Sequence, residues 1–243
     1  LGLIGNINFL LNEAKGEYVW FLGDDDFVKK TTTQILQDIF KNHQPNYIFL
    51  NHAAVKGENR NEIFKLFELK KYHGYSENGL KILMNIFYTY GAINMFMSSN
   101  IYKRSKLIKK YKKYSSNQQI VDPFIYSVLM SKESIYVEHE VCVYDNFEET
   151  SWKNNKREIL SRIFVIRLFD LYEGKDIDVE CLYFLLSSHF KNGVGNIIIF
   201  LWFAEKVEKD KVISLFGLKN VTKFYVIGLL KIIRNLIIKI INK

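Results

Sequence analysis

Tyr18-Val19-Trp20-Phe21-Leu22-Gly23-Asp24-Asp25-Asp26 is the stretch on which the reading of this chain turns. Tyr18–Leu22 is a continuous apolar run of strand length that stops at a glycine and three aspartates. A run without polar alternation predicts a strand buried on both faces, as in a parallel α/β sheet. The aspartates follow directly. In open α/β sheets, ligands bind outside the carboxyl ends of the strands, which is where this turn lies.

The flanking segments fit the same architecture. Gly5–Ala14 reads as a short helix with Gly16 as its stop. Thr31–His43 has threonine caps and then Ile35, Leu36, Ile39 and Phe40 at helical spacing. Asn46–Asn51 is a second strand, introduced by Pro45. Helix, strand, helix and strand in so short a span point to an α/β domain. Ala53–Gly74 reads as a polar loop with an edge element. Beyond it the pattern predicts a helix at Ser76–Tyr90, a strand at Met95–Tyr102 and a basic helix at Ser105–Tyr114. A helix follows at Asp122–Ser131, with Asp122 as cap and Pro123 in the first turn, then a strand at Ile135–Tyr144. After Trp152 the texture changes. Asn154–Glu173, Asp176–Lys191, Gly193–Lys209 and Lys219–Lys243 are helical in period. A boundary is therefore placed near 150, with an α/β part at 1–150 and a helical part at 151–243.

Composition limits the function classes. The chain has 243 residues, is 48% hydrophobic and contains only two prolines. It can bury a sizeable core, which excludes disorder for most of its length. Its two cysteines, Cys142 and Cys181, exclude a disulfide-rich scaffold and suggest a reducing compartment. No apolar stretch of transmembrane length lacks a charge. There is no signal-peptide pattern, and Leu1 in place of Met points to a fragment or processed piece. The formal net charge is +8, from 34 Lys and Arg against 26 Asp and Glu. Lys far outnumbers Arg, which weakens a nucleic-acid reading, because base and phosphate-fork recognition lean on Arg. The charge is also localised. Lys103–Lys113 and Lys211–Lys243 each carry +7 with no acid, so the rest of the chain is slightly acidic, at −6.

Asp24, Asp25 and Asp26 are the most informative residues. Adjacent carboxylates repel, and the next basic residue after them is Lys29. Such a cluster at a strand end suits a hard divalent ion held by oxygen ligands. In a turn, residues i and i+2 can converge on one ion while the middle residue points elsewhere. An isolated acidic triplet is most simply a solvated turn, but the five-residue apolar strand before this one argues against that. A viral-type polymerase also places a Gly-Asp-Asp turn after an apolar strand to hold two metals. The polymerase reading needs further Asp-bearing and nucleotide-selecting motifs upstream, and the residues before Gly23 supply none.

Gly5-Asn6-Ile7-Asn8, followed by Ala14-Lys15-Gly16-Glu17-Tyr18 and the strand into Gly23-Asp24-Asp25-Asp26, resembles the middle of a family 2 glycosyltransferase. The Leu-Gly-Asp-Asp-Asp variant resembles bacterial enzymes that build O-antigen and capsule, including abequosyltransferase-like ones. The resemblance implies an α/β, GT-A-like (Rossmann-like) mixed sheet, followed by a helical C-terminal region. It also implies a nucleotide-sugar donor and a Mn²⁺ or Mg²⁺ ion on a "DxD" motif. By motif position Asp24 and Asp26 are the metal pair. Asp26 is the first choice for direct contact, and Asp25 belongs to the same donor-binding turn. The family's inverting mechanism needs a carboxylate base at the start of a later helix. Asp122 falls there, with Val121 where the family commonly has Glu. Asp before Pro is also an ordinary N-cap. The family's opening strand and base-reading Asp have no counterpart ahead of Leu1. The expectation is therefore a GT-A-like domain truncated at its N-terminus, inactive unless those residues are restored.

Other residues are weaker candidates. Met95, Phe96 and Met97 read as core, whereas Ser98, Ser99 and Asn100 are placed to meet a sugar. His139 and His52 read as satisfied structural histidines, with a ligand role as the sharper alternative. Trp152 reads as packing, with stacking on a sugar as the sharper alternative. In the tail, Lys231, Arg234, Asn235, Lys239, Asn242 and Lys243 gather opposite Ile232, Ile233, Leu236, Ile237 and Ile240. This basic amphipathic helix suits the surface of an anionic membrane, or packing on the helical part. The functional expectation is sugar transfer from a nucleotide-sugar donor to a lipid-linked saccharide acceptor in surface polysaccharide synthesis. The enzyme would be peripheral to the inner face of the cytoplasmic membrane, without a nucleic-acid partner. The alternative is a non-catalytic, membrane-associated component of a glycan-assembly complex that lacks its donor half.

Overall fold

The computed structural model describes residues 2–56, 62–91, 93–114, 122–146, 162–192 and 196–241. The chain divides into two compact units, Leu1–Ile86 with Ala92–Ser151, and Phe87–Gly91 with Trp152–Lys243.

The first unit is built on a seven-stranded mixed sheet. Its elements are α1 (Gly2–Glu13), β1 (Tyr18–Trp20), β2 (Phe27–Val28), α2 (Thr32–Asn42), β3 (Tyr47–Lys56), β4 (Glu62–Leu66), β5 (Gly74–Ser76), the part of α3 (Gly79–Tyr90) up to Ile86, β6 (Asn100–Lys103), α4 (Arg104–Tyr114), α5 (Asp122–Ser131) and β7 (Ile135–Asn146). The strand order is β1-β6-β3-β7-β2, with β4 added to β3 and β5 to β7. Only β3 and β7 run parallel; the other pairings are antiparallel. β1 therefore departs from the expected two-face burial. It is a short edge strand paired with β6, and only its central residue, Val19, is buried. Its aromatic residues cover helix α2 and the loop before β6, so the apolar run reflects side-chain packing and not a central position.

Two further segments differ from expectation. The expected edge element after Ala53 is β4, but the strand before it is longer than expected: β3 runs on to Lys56 and pairs with β4. The strand expected from Met95 begins only at Asn100. Two short 3₁₀ turns, Ile93–Met95 and Met97–Ser99, precede it. Asn100 explains the delay. Its side-chain amide donates to the backbone carbonyls of Asn94 and Phe96, at 3.0 and 2.6 Å, which coils the preceding residues.

Alternation along β3 sorts the core onto two faces. Ile48 and Leu50 pack with Ile101, Cys142 and Val143 against Ile35, Leu36, Ile39 and Phe40 of α2. Tyr47 and Phe49 point the other way. There the Tyr47 ring stacks on Tyr102 at 5.5 Å, and the Tyr102 hydroxyl donates to the Pro123 carbonyl of α5 at 3.1 Å. The sheet thus has a helix on each face.

The second unit is helical: α6 (Phe164–Glu173), α7 (Val179–Asn192), α8 (Asn196–Phe203), α9 (Lys206–Phe216) and α10 (Leu218–Ile241). Phe190 lies at its centre, with the rings of Phe200, Phe224 and Phe216 at 5.9, 5.8 and 6.1 Å. The single helix expected over Gly193–Lys209 is two helices. Glu205 and Glu208 form a capping box that starts α9, and Arg162 bridges both carboxylates. Among the described residues no single helix is long and apolar enough to cross a membrane. The bent pair Lys206–Phe216 and Leu218–Arg234, at 105°, has the length and composition together.

Candidate active site

The acidic turn leaves β1 at one edge of the sheet and enters β2 at the other, so it passes over the strand ends between them. Ser98 holds it in place. The Gly23 N–H donates to Ser98 Oγ at 2.8 Å, and Ser98 Oγ in turn donates to the Asp26 carboxylate. Trp20 Nε1 donates to the Ser98 carbonyl at 2.8 Å, and the Asp26 N–H reaches the Gly23 carbonyl at 3.4 Å. The strand end, the turn and the loop before β6 therefore form one braced unit. β1–β6 pairing sets this up, because Trp20 lies opposite Ile101 and so brings Ser98 to the end of β1.

Gly23 has a second reason to be glycine. A Cβ there would stand 2.6 Å from Asp26 Oδ2 and 3.0 Å from Asp25 Oδ1. The carboxylates of Asp25 and Asp26 thus fold back over the same point above the backbone. Asp24 is exposed. The three side chains present oxygen donors only, which matches a hard divalent ion in chemistry.

Asp122 sits at the first residue of α5 and is buried. Tyr102 and Tyr111 lie close enough to feel its charge. Burial first, and the Asp122 carboxylate in addition, raise the Tyr111 hydroxyl above its ordinary value. Tyr102 is raised strongly, again chiefly by burial. A buried polar network leads from α5 towards the turn. Ser127 Oγ lies 2.7 Å from the Pro123 carbonyl oxygen and 3.1 Å from Asn100 Oδ1, which also accepts from the Tyr47 hydroxyl at 2.6 Å. Asn100 is two residues from Ser98. The first turns of α5 are thus tied, through Ser127, to the Asn100 that shapes the loop bracing the acidic turn.

Ser98, Ser99 and Asn100 were expected to face a sugar, but all three are buried. Ser98 and Asn100 brace the loop, and Ser99 Oγ donates to the Phe96 carbonyl at 2.8 Å. Nothing in the sequence signals the role of Ser98, since its partners lie more than seventy residues away. His52 is buried between the rings of Phe67 and Phe96, at 4.9 and 4.6 Å. His139 does not stand alone: its ring is 4.2 Å from that of His73, a residue the sequence did not single out. Trp152 lies outside the described residues.

Residues 1–111 match the family described as glycosyl transferase family 2. A search of curated proteins by sequence finds no match. Among solved structures, the chain is similar to S. aureus TarS 1-349 in complex with UDP-GlcNAc. The TM-score is 0.53 at 18% identity, over 90% of this chain and 60% of that one. S. aureus TarS 1-349 in complex with UDP gives 0.51 at 17% identity, over 86% of this chain and 57% of that one. The chain thus spans less than two thirds of these TarS structures, and at such identity they speak to the fold. The match to that family's model covers residues 1–111, and the architecture is a GT-A-like α/β fold with a helical C-terminal region.

Proposed function

We propose, from the family 2 glycosyltransferase sequence of residues 1–111, that this chain transfers a sugar from a nucleotide-sugar donor to a saccharide acceptor with inversion. The observation that carries the reading is the braced turn, in which Ser98 fixes the Gly23 backbone and the Asp26 carboxylate together. Asp24 and Asp26 would hold Mn²⁺ or Mg²⁺, with Asp25 in the same donor-binding turn. When bound, such an ion neutralises the diphosphate leaving group. Asp122 would take the proton from the acceptor hydroxyl.

The acceptor in this reading is lipid-linked, and the chain works on a surface polysaccharide at the inner face of the cytoplasmic membrane. Support comes from α10, where Val226, Leu229, Leu230, Ile233 and Ile237 are exposed among Lys223, Lys231 and Arg234. Trp202, 81% exposed at the end of α8, adds an aromatic of the kind that seats at membrane interfaces.

Calorimetry with UDP and UDP-GlcNAc, the ligands of the TarS complexes, tests the donor half of the proposal. Binding to the full protein should require Mn²⁺ or Mg²⁺ and disappear in Asp26→Asn. The non-catalytic alternative predicts no metal-dependent binding of any nucleotide sugar across a donor panel, before or after the substitution.

A further inference from the structure

β7 carries a second group of ligand-type side chains, on the edge away from β3. On that edge β5 pairs with Ile135–Val137 and β2 pairs with Val143 and Tyr144. Between these pairings, among the described residues, Glu138–Cys142 meet no strand. The register of β7 against β3 also slips here, with Leu50 opposite Glu138 but Asn51 opposite Val141. The bulge turns Glu138 and His139 towards the residue that enters β5, His73. Gly74, at φ +110°, is in the left-handed region and makes the bend that brings His73 over β7.

The geometry is that of a three-ligand cation site. One ligand atom from each of His73, Glu138 and His139 lies within 4.8 Å of the others. Glu138 Oε1 is 3.1 Å from His139 Nδ1 and 3.7 Å from His73 Nδ1. Glu138 is only 4% exposed, and its ion-pair partners among the described residues are these two histidines. A buried carboxylate calls for a positive partner. His139 Nδ1 is buried and makes no hydrogen bond of acceptable geometry, despite its closeness to Glu138. His73 Nδ1 also stands 3.1 Å from the Val137 carbonyl oxygen, which ties the imidazole to β7. On the Glu138 carboxylate, the Glu140 N–H donates at 2.8 Å and fixes its direction.

We propose that His73, Glu138 and His139 bind a zinc ion that clips the start of β5 to the bulge of β7. Two imidazoles and one carboxylate form a nitrogen-rich set suited to Zn²⁺ at tetrahedral geometry, with the fourth position left to water. The all-oxygen turn at Asp24–Asp26 suits Mn²⁺ or Mg²⁺ instead, so the two sites differ in the metal they select. The clip is independent of the sugar-transfer reading.

The test is competition for Zn²⁺ between the metal-stripped full protein and a chromophoric chelator, with Co²⁺ as a spectroscopic substitute. The wild type should take up one equivalent of Zn²⁺. Its Co²⁺ form should show the visible bands of a tetrahedral site. His139→Ala and His73→Ala should each weaken Zn²⁺ binding at least about tenfold and remove the Co²⁺ bands. Asp24→Asn with Asp26→Asn should leave both readouts unchanged. His73 is exposed, so its substitution carries the test if His139→Ala does not fold. Absence of a Zn²⁺ equivalent in the wild type overturns the proposal. So does equal Zn²⁺ binding by His73→Ala, or its loss with the aspartates.

Discussion

Gly23 and Ser98 set the shape of the acidic turn by different means, and substitutions separate them. In Gly23→Ala the new methyl meets the ends of two carboxylates and no backbone. Asp26 swings aside only by giving up its bond from Ser98, while the Gly23 N–H keeps Ser98 as acceptor, so the fold should lose less than in Ser98→Ala while the oxygens leave their common position. The melting temperature should shift by only a few degrees, while affinity for nucleoside diphosphate with Mn²⁺ falls about tenfold or more, roughly 1.4 kcal/mol. Ser98→Ala removes the acceptor of the Gly23 N–H and the donor to Asp26 at once. It should weaken both binding and stability, the latter by about 1–3 kcal/mol, because the partners of a buried hydroxyl are left unmade. Equal effects of the two substitutions on stability would contradict this division. Asp122 calls for a kinetic readout. If it takes the acceptor proton, Asp122→Asn should lower kcat about 100-fold or more and leave donor affinity intact, since general-base help is worth about that much. An N-cap alone predicts a near-normal kcat and melting temperature, because Asn caps about as well as Asp.

At the scale of elements, short-range patterns were legible and long-range ones were not. Helix α2 lies where Ile35, Leu36, Ile39 and Phe40 place it, and α5 starts at Asp122, where the Asp-Pro pair signals a cap. Both depend on contacts a few residues apart. The edge position of β1, the pairing of β3 with β4 and the late start of β6 depend on partners far along the chain, which no local period records. The same holds at the sites. Three adjacent aspartates announce themselves, whereas Ser98 reaches Asp26 only through β1–β6 pairing, and His73 reaches His139 only through β5–β7 pairing. Glu133 shows such a distant tie with a measurable consequence. Its carboxylate accepts from Lys106 of α4 at 2.6 Å and from Asn46, before β3, at 2.7 Å. The Lys106 hydrogen bond chiefly holds this carboxyl below the ordinary value of 4.5. A carboxyl depressed in the folded state contributes stability at neutral pH and loses it as pH falls through the folded-state value. Glu133→Gln should therefore narrow the gap between melting temperatures at pH 7 and pH 3; an unchanged gap would show that the exposed pair contributes nothing.

At the scale of the whole molecule, the net charge of +8 is less informative than its placement. One acid-free block runs from Lys103 through α4 in the sheet unit; the other runs from Lys211 through α10 in the helical unit. In α10 the seam of Val221, Phe224 and Gly228 is buried, and Gly228 would bring a Cβ within 3.4 Å of Ile197 and Ile198 of α8. Val226, Leu229, Leu230, Ile233 and Ile237 are among its exposed apolar residues, with Lys223 and Arg234 beside them. A helix that packs by one seam and still exposes an apolar stripe among cations differs from a terminal helix that has simply docked. It has the composition of a helix lying in a lipid interface, where each basic residue near an anionic surface adds about 1 kcal/mol. Vesicle co-sedimentation should therefore show binding to phosphatidylglycerol-containing vesicles that weakens as salt rises. Lys219, Lys223 and Arg234 changed together to Gln should cost about 3 kcal/mol, roughly 100-fold in partition, on anionic vesicles only. Leu230→Asp with Ile233→Asp should abolish binding to anionic vesicles at low salt as well, because the charges alone cannot replace insertion of the stripe. Persistence of binding in that double variant would make α10 a purely electrostatic contact, and absence of binding in the wild type would return its stripe to a protein partner.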